Sequence, residues 1–295
     1  MLWKEIKQSK ALYAMIAPYF IIFFTFTVLP VVLSLLVSLT NFNMLEFPEW
    51  VGWRNYAHLF VRDDVFLIAL KNTLLFAAVT GPISYIACFV LAWVINELSA
   101  KLRAFATLVF YAPALSGSAY IVWTLLFSND SYGYINAFLL KWKLILEPIL
   151  WLKDPQYIMT IIIVVQLWLS LGTSFLAFIA GLQSLDKTLF EAGSIDGIRN
   201  RWQELWYITL PSMRPMLLFG AVIQITASFA VAEVAVALAG FPSVQYAGHT
   251  IVTHLMDYGS IRFEMGYASA IATVLFAMML GSNLIVRKAL TKVGE

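Results

Sequence analysis

The chain has 295 residues, of which 61% are hydrophobic and only 12% charged, with a mean hydropathy of +0.81. A soluble domain carries about 25% charged residues, so this balance excludes an ordinary soluble protein and indicates a polytopic membrane protein. The formal net charge of +2 gives no sign of nucleic-acid binding, and Cys88, the single cysteine, excludes an internal disulfide framework or a cysteine-built metal site.

The start, MLWKEIKQSK, is basic and precedes an apolar run from Ala11 to about Leu39. A secretory signal peptide has a shorter apolar core and a small-residue cleavage site, so the run reads as a retained transmembrane helix over 12–39. Pro18 and Pro30 lie near its ends, where a tilt or kink is tolerated. Five later runs predict spans over 68–95, 104–127, 157–182, 214–239 and 266–288. The expectation is an all-α membrane protein, a single transmembrane domain over 1–295 with six spans. Between the first two spans, Phe42, Phe47, Trp50, Trp53, Tyr56 and Phe60 make an aromatic-rich segment, and Trp151 and Tyr157 flank the fourth span. They suit an interfacial aromatic belt, and equally a docking surface for an external partner.

Lysine and arginine near the span ends set the orientation. One side collects Lys4, Lys7, Lys10, Lys101, Arg103, Lys187, Arg199, Arg201, Arg214, Arg287, Lys288 and Lys292. The other carries Arg54, Arg62, Lys71, Lys141, Lys143, Lys153 and Arg262, diluted by acidic residues such as Glu46, Asp63, Asp130 and Glu264. The first side is therefore expected in the cytoplasm, with both termini and the loop between spans four and five.

That loop, 184–213, overlaps a polar island, EAGSIDGIRNRWQELWYITLPSMRP. Asp186 is placed to cap a short helix running to about Ser194, with Leu189, Phe190 and Ile195 as its apolar side. Asp196-Gly197 is a turn signal. Asn200 reads as a second N-cap with Gln203 closing a capping box, Trp202, Leu205 and Trp206 form an apolar face, and Pro211 stops the helix. The bland alternative is a polar connector lying at the membrane interface.

The island resembles the cytoplasmic coupling loop of ATP-binding-cassette (ABC) importer permeases, whose pattern is Glu-Ala-Ala, then Asp-Gly, then Ile-x-Leu-Pro. Glu191, Ala192, Asp196, Gly197, Ile208, Leu210 and Pro211 match, while Gly193 replaces the third residue and Ile198 a commoner small one. Further stretches are similar to carbohydrate permeases of the maltose-permease kind: Tyr111-Ala-Pro113-Ala-Leu-Ser116 followed by Trp123, Gly133 and Asn136; Val51-Gly-Trp53-Arg-Asn55-Tyr56; and Met265-Gly266-Tyr267-Ala268-Ser269-Ala270. Where that family often has an acidic residue and Gly-Gly-Pro after the fifth span, this chain reads Glu233 and Gly240-Phe241-Pro242.

The resemblance implies a type I importer permease in a bacterial or archaeal cytoplasmic membrane, half of a heterodimer with a second, unlike permease subunit. It implies two separate ABC ATPase subunits, which bind ATP and Mg, and an extracytoplasmic solute-binding protein. No cofactor on this chain and no nucleic-acid partner are expected. The ATPase-coupling residues it implies are Glu191, Ala192, Gly193, Asp196, Gly197, Leu210 and Pro211. The sequence contains no GxxxxGK[ST] phosphate loop, so the energy source is expected on another polypeptide.

Sugar recognition needs hydrogen-bonding groups and flat apolar faces. Span four offers Gln166, Trp168, Ser170 and Thr173; span five offers Gln224, Thr226, Ser228, Phe229 and Glu233. At about 1.5 Å per residue most of these fall near the bilayer middle, and Gln166, Ser170 and Thr173 have helical same-face spacing. The competing role for small polar residues is to hold helices together. Glu233 is the one carboxylate in the apolar part of span five, where acids are costly and often functional. His249 and His254 are five apart, off the three- or four-residue spacing of helical metal ligands, and no nucleophile–base pair stands out, so neither a metal site nor an enzyme is expected. A permease for a non-sugar solute remains the alternative, and after it a secondary transporter. The latter predicts paired intramembrane charges or internal repeats, which are not found.

Overall fold

The computed structural model describes residues 10–291; Lys4, Lys7 and Lys292, which contribute to the charge asymmetry, lie outside them. Among the described residues all regular structure is helical, apart from an isolated bridge between Thr40 and Trp50. Five helical stretches are long and apolar enough to cross a membrane: Leu12–Val37, Asp64–Asn96, Pro155–Gln183, Arg214–Ala239 and Met265–Leu290. They correspond to five of the six expected spans.

The expected third span, 104–127, differs. It consists of two shorter helices, Ala100–Leu115 and Ile121–Leu126, separated by turns at 116–120. Pro113 removes a backbone donor near the end of the first helix, and Ser116-Gly117-Ser118 are poor helix formers. A hydropathy reading registers the length of such a run and not its break.

The chain divides into two compact units. The first takes the chain up to Asp63 and Leu255–Val274. It begins with α1 (Lys10–Phe23), a wide π-helical turn (Phe24–Val28) and α2 (Leu29–Val37). The Asn55 side chain, at the head of α3 (Arg54–Val61), donates to the carbonyls of Ser38 and Thr40, both at 2.8 Å, and so closes the turn after α2. Gly266 N–H donates to the Phe42 carbonyl at 2.8 Å. A side chain at Gly266 would strike the Thr40 carbonyl oxygen. The buried Tyr267 hydroxyl donates to Asp63 at 2.7 Å, and its ring packs on Tyr258 and edge-on to His58. The two motifs Val51–Tyr56 and Met265–Ala270 thus serve one packed corner.

The second unit takes Asp64–His254 and the chain from Leu275. Its spine is α4 (Asp64–Asn96). After α5 (Ala100–Leu115), α6 (Ile121–Leu126) and α7 (Tyr134–Lys141) come two interrupted spans. Span four is α8 (Pro155–Leu169) and α9 (Thr173–Gln183); span five, after the loop, begins at Arg214. One core joins Phe89, Ala92 and Ile95 of α4 to Phe175, Phe178 and Leu182 of α9 and to Leu217. The ring of Phe178 lies edge-on to Tyr85 and Phe89, and it occupies the space a side chain at Gly220 would need. A second core gathers Phe76, Phe127, Ile158, Ile162 and Val165 with Val231, Val234 and Leu238. Buried Asn136 organises the segment beside it, donating to the carbonyls of Ser128, Asp130 and Ile149 and accepting from Ile149 N–H and Trp151 Nε1.

Candidate functional site

The polar island folds as two short helices whose ends are closed by local hydrogen bonds. α10 (Lys187–Ile195) starts at Asp186, whose carboxylate accepts the Thr188 N–H at 2.9 Å. That bond, with one from the Thr188 hydroxyl, holds the Asp186 carboxyl below the usual carboxylate range. The helix ends in a Schellman turn: Gly197 has a φ of +94°, and Ile198 N–H donates to the Gly193 carbonyl at 2.9 Å. A Cβ at Gly197 meets no atom, so the demand for glycine there is purely conformational. α11 (Arg201–Glu204) starts at Asn200, whose side chain accepts Gln203 N–H at 2.9 Å. Gln203 returns a bond from Arg199 N–H at 2.8 Å, one residue earlier than a standard capping box.

Pro211 does not stop this helix, contrary to the sequence expectation. The helical course continues through a wide π-turn, Leu205–Thr209, and a last turn, Leu210–Ser212; Met213 makes the break. A widened turn moves the carbonyl four residues back away from the proline ring, and the same device, Phe24–Val28, precedes Pro30.

The two departures from the coupling-loop pattern touch each other. A Cβ on Gly193 would lie 2.7 Å from Ile208 Cδ1 and 3.1 Å from Ile198 Cδ1. The side chain lost at 193 is replaced by the one gained at 198. The expected apolar face of the second helix divides three ways. Leu205 is buried in the core with Ile95 and Leu182, Trp202 packs on Trp93, and Trp206 is exposed with Tyr207 and Ile195. Glu191, Ala192, Asp196 and Pro211 are exposed, Leu210 is half-buried and Gly193 is buried.

The candidate pathway residues lie around two interruptions. α8 ends at Leu169, and Gly172 (φ −107°, ψ −132°) redirects the chain before α9. The same-face register expected for Gln166, Ser170 and Thr173 therefore does not hold. Span five is α12 (Arg214–Phe229), a break at Ala230–Ala232, and α13 (Glu233–Ala239). Backbone groups at such breaks need partners, because lipid supplies none. Gln224 donates to the Ser170 carbonyl at 3.3 Å and to Cys88 Sγ at 3.1 Å, and Cys88 also donates to that carbonyl. The Thr250 hydroxyl donates to the Val231 carbonyl at 2.8 Å.

Gln224, Ser228 and Phe229 are thus buried within the chain, whereas Thr173, Thr226, Trp168 and Glu233 are exposed and Gln166 and Ser170 half-buried. Trp168 packs edge-on to Trp123 at 5.5 Å, and the Tyr120 hydroxyl donates to Glu233 at 3.1 Å. The structure therefore gathers flat rings and a carboxylate at one margin of the second unit and turns the glutamine to internal work. Spacing in the sequence bears on His249 and His254 only as metal ligands; in the fold they are buried with His249 Nε2 3.2 Å from His254 Nδ1, and His249 Nδ1 also pairs with the Thr253 hydroxyl at 3.2 Å. Asn72 and Thr73 hold the backbone there, and only the polar types of residues 72 and 73 inside an apolar run hint at this.

Comparison with known proteins places this arrangement. The chain is 32% identical to the probable ABC transporter permease protein YesP of Bacillus subtilis (strain 168), over 92% of this chain and 88% of that protein. It is 30% identical to the arabinooligosaccharides transport system permease protein AraP of the same organism, over 96% and 90%. The chain belongs to the carbohydrate-type ABC transporter permeases. This permease also matches a chain of a bacterial alginate ABC transporter, solved in complex with an alginate pentasaccharide-bound periplasmic protein, with a TM-score of 0.76, 26% identity and coverage of 100% and 99%. No protein-family model matches it. It is a multi-pass membrane transport subunit, as the hydropathy and the loop signature imply.

Proposed function

We propose that this permease forms half of the translocation pathway for a sugar or oligosaccharide in an ATP-driven importer of the cytoplasmic membrane. Its partners are an unlike second permease subunit, two ATPase chains that carry ATP and Mg, and an extracytoplasmic solute-binding protein. The loop 184–213 lies on the cytoplasmic side with both termini. The observation that carries the reading is the loop itself: a closed helix–turn–helix that presents Glu191, Ile195, Trp206 and Tyr207 outward while joining spans four and five directly. Large apolar side chains left exposed on a short loop, with Glu191 exposed on the same loop, suit a protein groove. The oligosaccharide permease among its relatives and the alginate importer support the substrate class and the binding protein.

Under this reading Gln166, Trp168, Ser170, Thr173, Thr226 and Glu233 contribute to the pathway wall, and Gln224, Ser228 and Phe229 support it from behind. Rings that stack on sugar faces and acceptors for hydroxyls are the groups such a wall requires. The test is Glu191→Lys, which leaves the spans untouched. Co-purification of the ATPase with the mutant permease pair, and binding-protein-stimulated ATP hydrolysis in liposomes, should both fall at least several-fold. Unchanged assembly and hydrolysis would remove the coupling-loop assignment.

A further inference from the structure

The loop 184–213 is covalently joined to spans four and five, yet a set of its side-chain attachments reaches α4. Arg201 Nη2 lies 2.6 Å from Glu97 Oε2, just past the end of α4. The same guanidinium bridges to Glu204 at 2.6 Å, which orients it from within its own helix. One turn back along α4, Trp93 packs against Trp202 with ring centroids 5.4 Å apart. Between these contacts Leu205 enters the core that contains Ile95 of α4. Arg201, Trp202 and Leu205 share one face of the second loop helix, and Trp93 and Glu97 are one turn apart on α4. The end of α4 is itself secured, because Arg103 donates to the Asn96 side chain and carbonyl at 3.1 and 3.3 Å.

An isolated ion pair this exposed contributes little to stability, with side chains 60% and 42% accessible. An ion pair, a ring pair and a buried leucine arranged along one helix face do something else: they make two elements move together. From this we infer that Glu97–Arg201, with Trp93–Trp202, is a clamp that ties the coupling loop to α4, so that displacement of the loop drives the second span as well as the fourth and fifth. Glu97 and Arg201 are positioning residues in this scheme and touch no substrate. The inference rests on the coupling-loop reading above, and it predicts a separable defect. With the clamp open the loop still engages the ATPase and still moves span five, while the end of α4 that carries Trp93 follows the loop less closely, because only the shared core with α9 and Leu217 then links them.

The test needs no knowledge of the transported sugar. Single cysteines replace exposed residues near the loop, Val94→Cys on α4 and Phe219→Cys on α12, with the buried native Cys88 left in place. The assembled transporter in liposomes is labelled with a maleimide probe, with and without ATP plus vanadate. In the otherwise unmodified permease both sites should change labelling rate several-fold with nucleotide. In Glu97→Arg, which leaves Trp93–Trp202 in place, the change at Val94→Cys should shrink at least twofold and that at Phe219→Cys should be kept. Combining Glu97→Arg with Arg201→Glu and Glu204→Gln restores an opposite-charge pair without a repelling neighbour, and the change at Val94→Cys should return. ATPase co-purification and the thermal midpoint of the assembled transporter, measured alongside, should stay at wild-type values in Glu97→Arg. A nucleotide response at Val94→Cys that survives Glu97→Arg at full size overturns the clamp. Loss at both positions in Glu97→Arg, or loss of ATPase binding, also overturns it, because the pair would then serve loop docking. No response at either site in the unmodified permease would instead remove the coupling-loop reading itself.

Discussion

The loop 184–213 and the mid-span breaks both interrupt helices, but they satisfy the freed backbone in opposite ways. In the loop the partners are near in sequence: Asp186 caps Thr188, Asn200 caps Gln203, and Ile198 closes onto Gly193. At the breaks the partners are distant: Gln224 serves the Ser170 carbonyl and Thr250 the Val231 carbonyl. A loop built on local bonds keeps its shape while its surroundings move. A break held by side chains of other segments is coupled to those segments. That difference suits the roles proposed for them, a loop that transmits force as a body and breaks that rearrange as a substrate passes.

The largest effect is expected at the distant partners. Gln224→Leu leaves the Ser170 carbonyl without its glutamine donor inside the membrane and should cost about 2 kcal/mol, read as a lowered thermal midpoint in detergent. Thr226→Val, two residues further along α12 and exposed, loses only a bond to its own helix at Val222, so stability should hold while transport or sugar preference changes. Equal stability losses in the two variants would dissolve the distinction between supporting and lining residues.

Gly193→Ala asks how tightly the loop is packed. The new methyl meets the flexible ends of Ile208 and Ile198, so the expected cost is about 1 kcal/mol. Adding Ile198→Ala should recover part of that loss in a double-mutant cycle of thermal midpoints. Strict additivity would show that the two substitutions in the family pattern are unrelated.

Asn200→Ala removes one local cap and should cost about 0.5 kcal/mol, with the rest of the loop intact by proteolytic protection. The smallest expected effect is the acid response of Asp186. Its carboxyl is held below the ordinary range in the folded loop, so its contribution is complete above the unfolded-state value and is lost as pH falls through the folded one. Loop protection should therefore weaken only under acid, and Asp186→Asn should flatten that part of the profile.

Much of the loop was legible from residues alone. Two caps and a glycine turn are chemical statements made within a few positions, and each appears where its residue types place it. Pro211 misled because its usual rule assumes a regular turn before it, and the π-turn at Leu205–Thr209 relaxes that condition. The candidate pathway residues were legible as polar types at mid-span depth but not by direction, since Gly172 and Ala230–Ala232 break the register that assigns faces. Glu97 and Arg201 carried no signal: two charges 104 residues apart become a pair only through packing.

By itself the sequence determined that this is a helical membrane permease, where five of its long apolar segments run, and how the loop 184–213 is capped. Hydropathy and capping act over one turn or one bilayer thickness, so they survive in a linear string. Only the tertiary structure decided that the run over 104–127 is broken, that Gln224 is turned inward, and that α4 is fastened to the loop by Trp93 and Glu97. Those outcomes depend on which distant groups satisfy a buried carbonyl or fill a space, and that choice is made when segments far apart in the chain pack together.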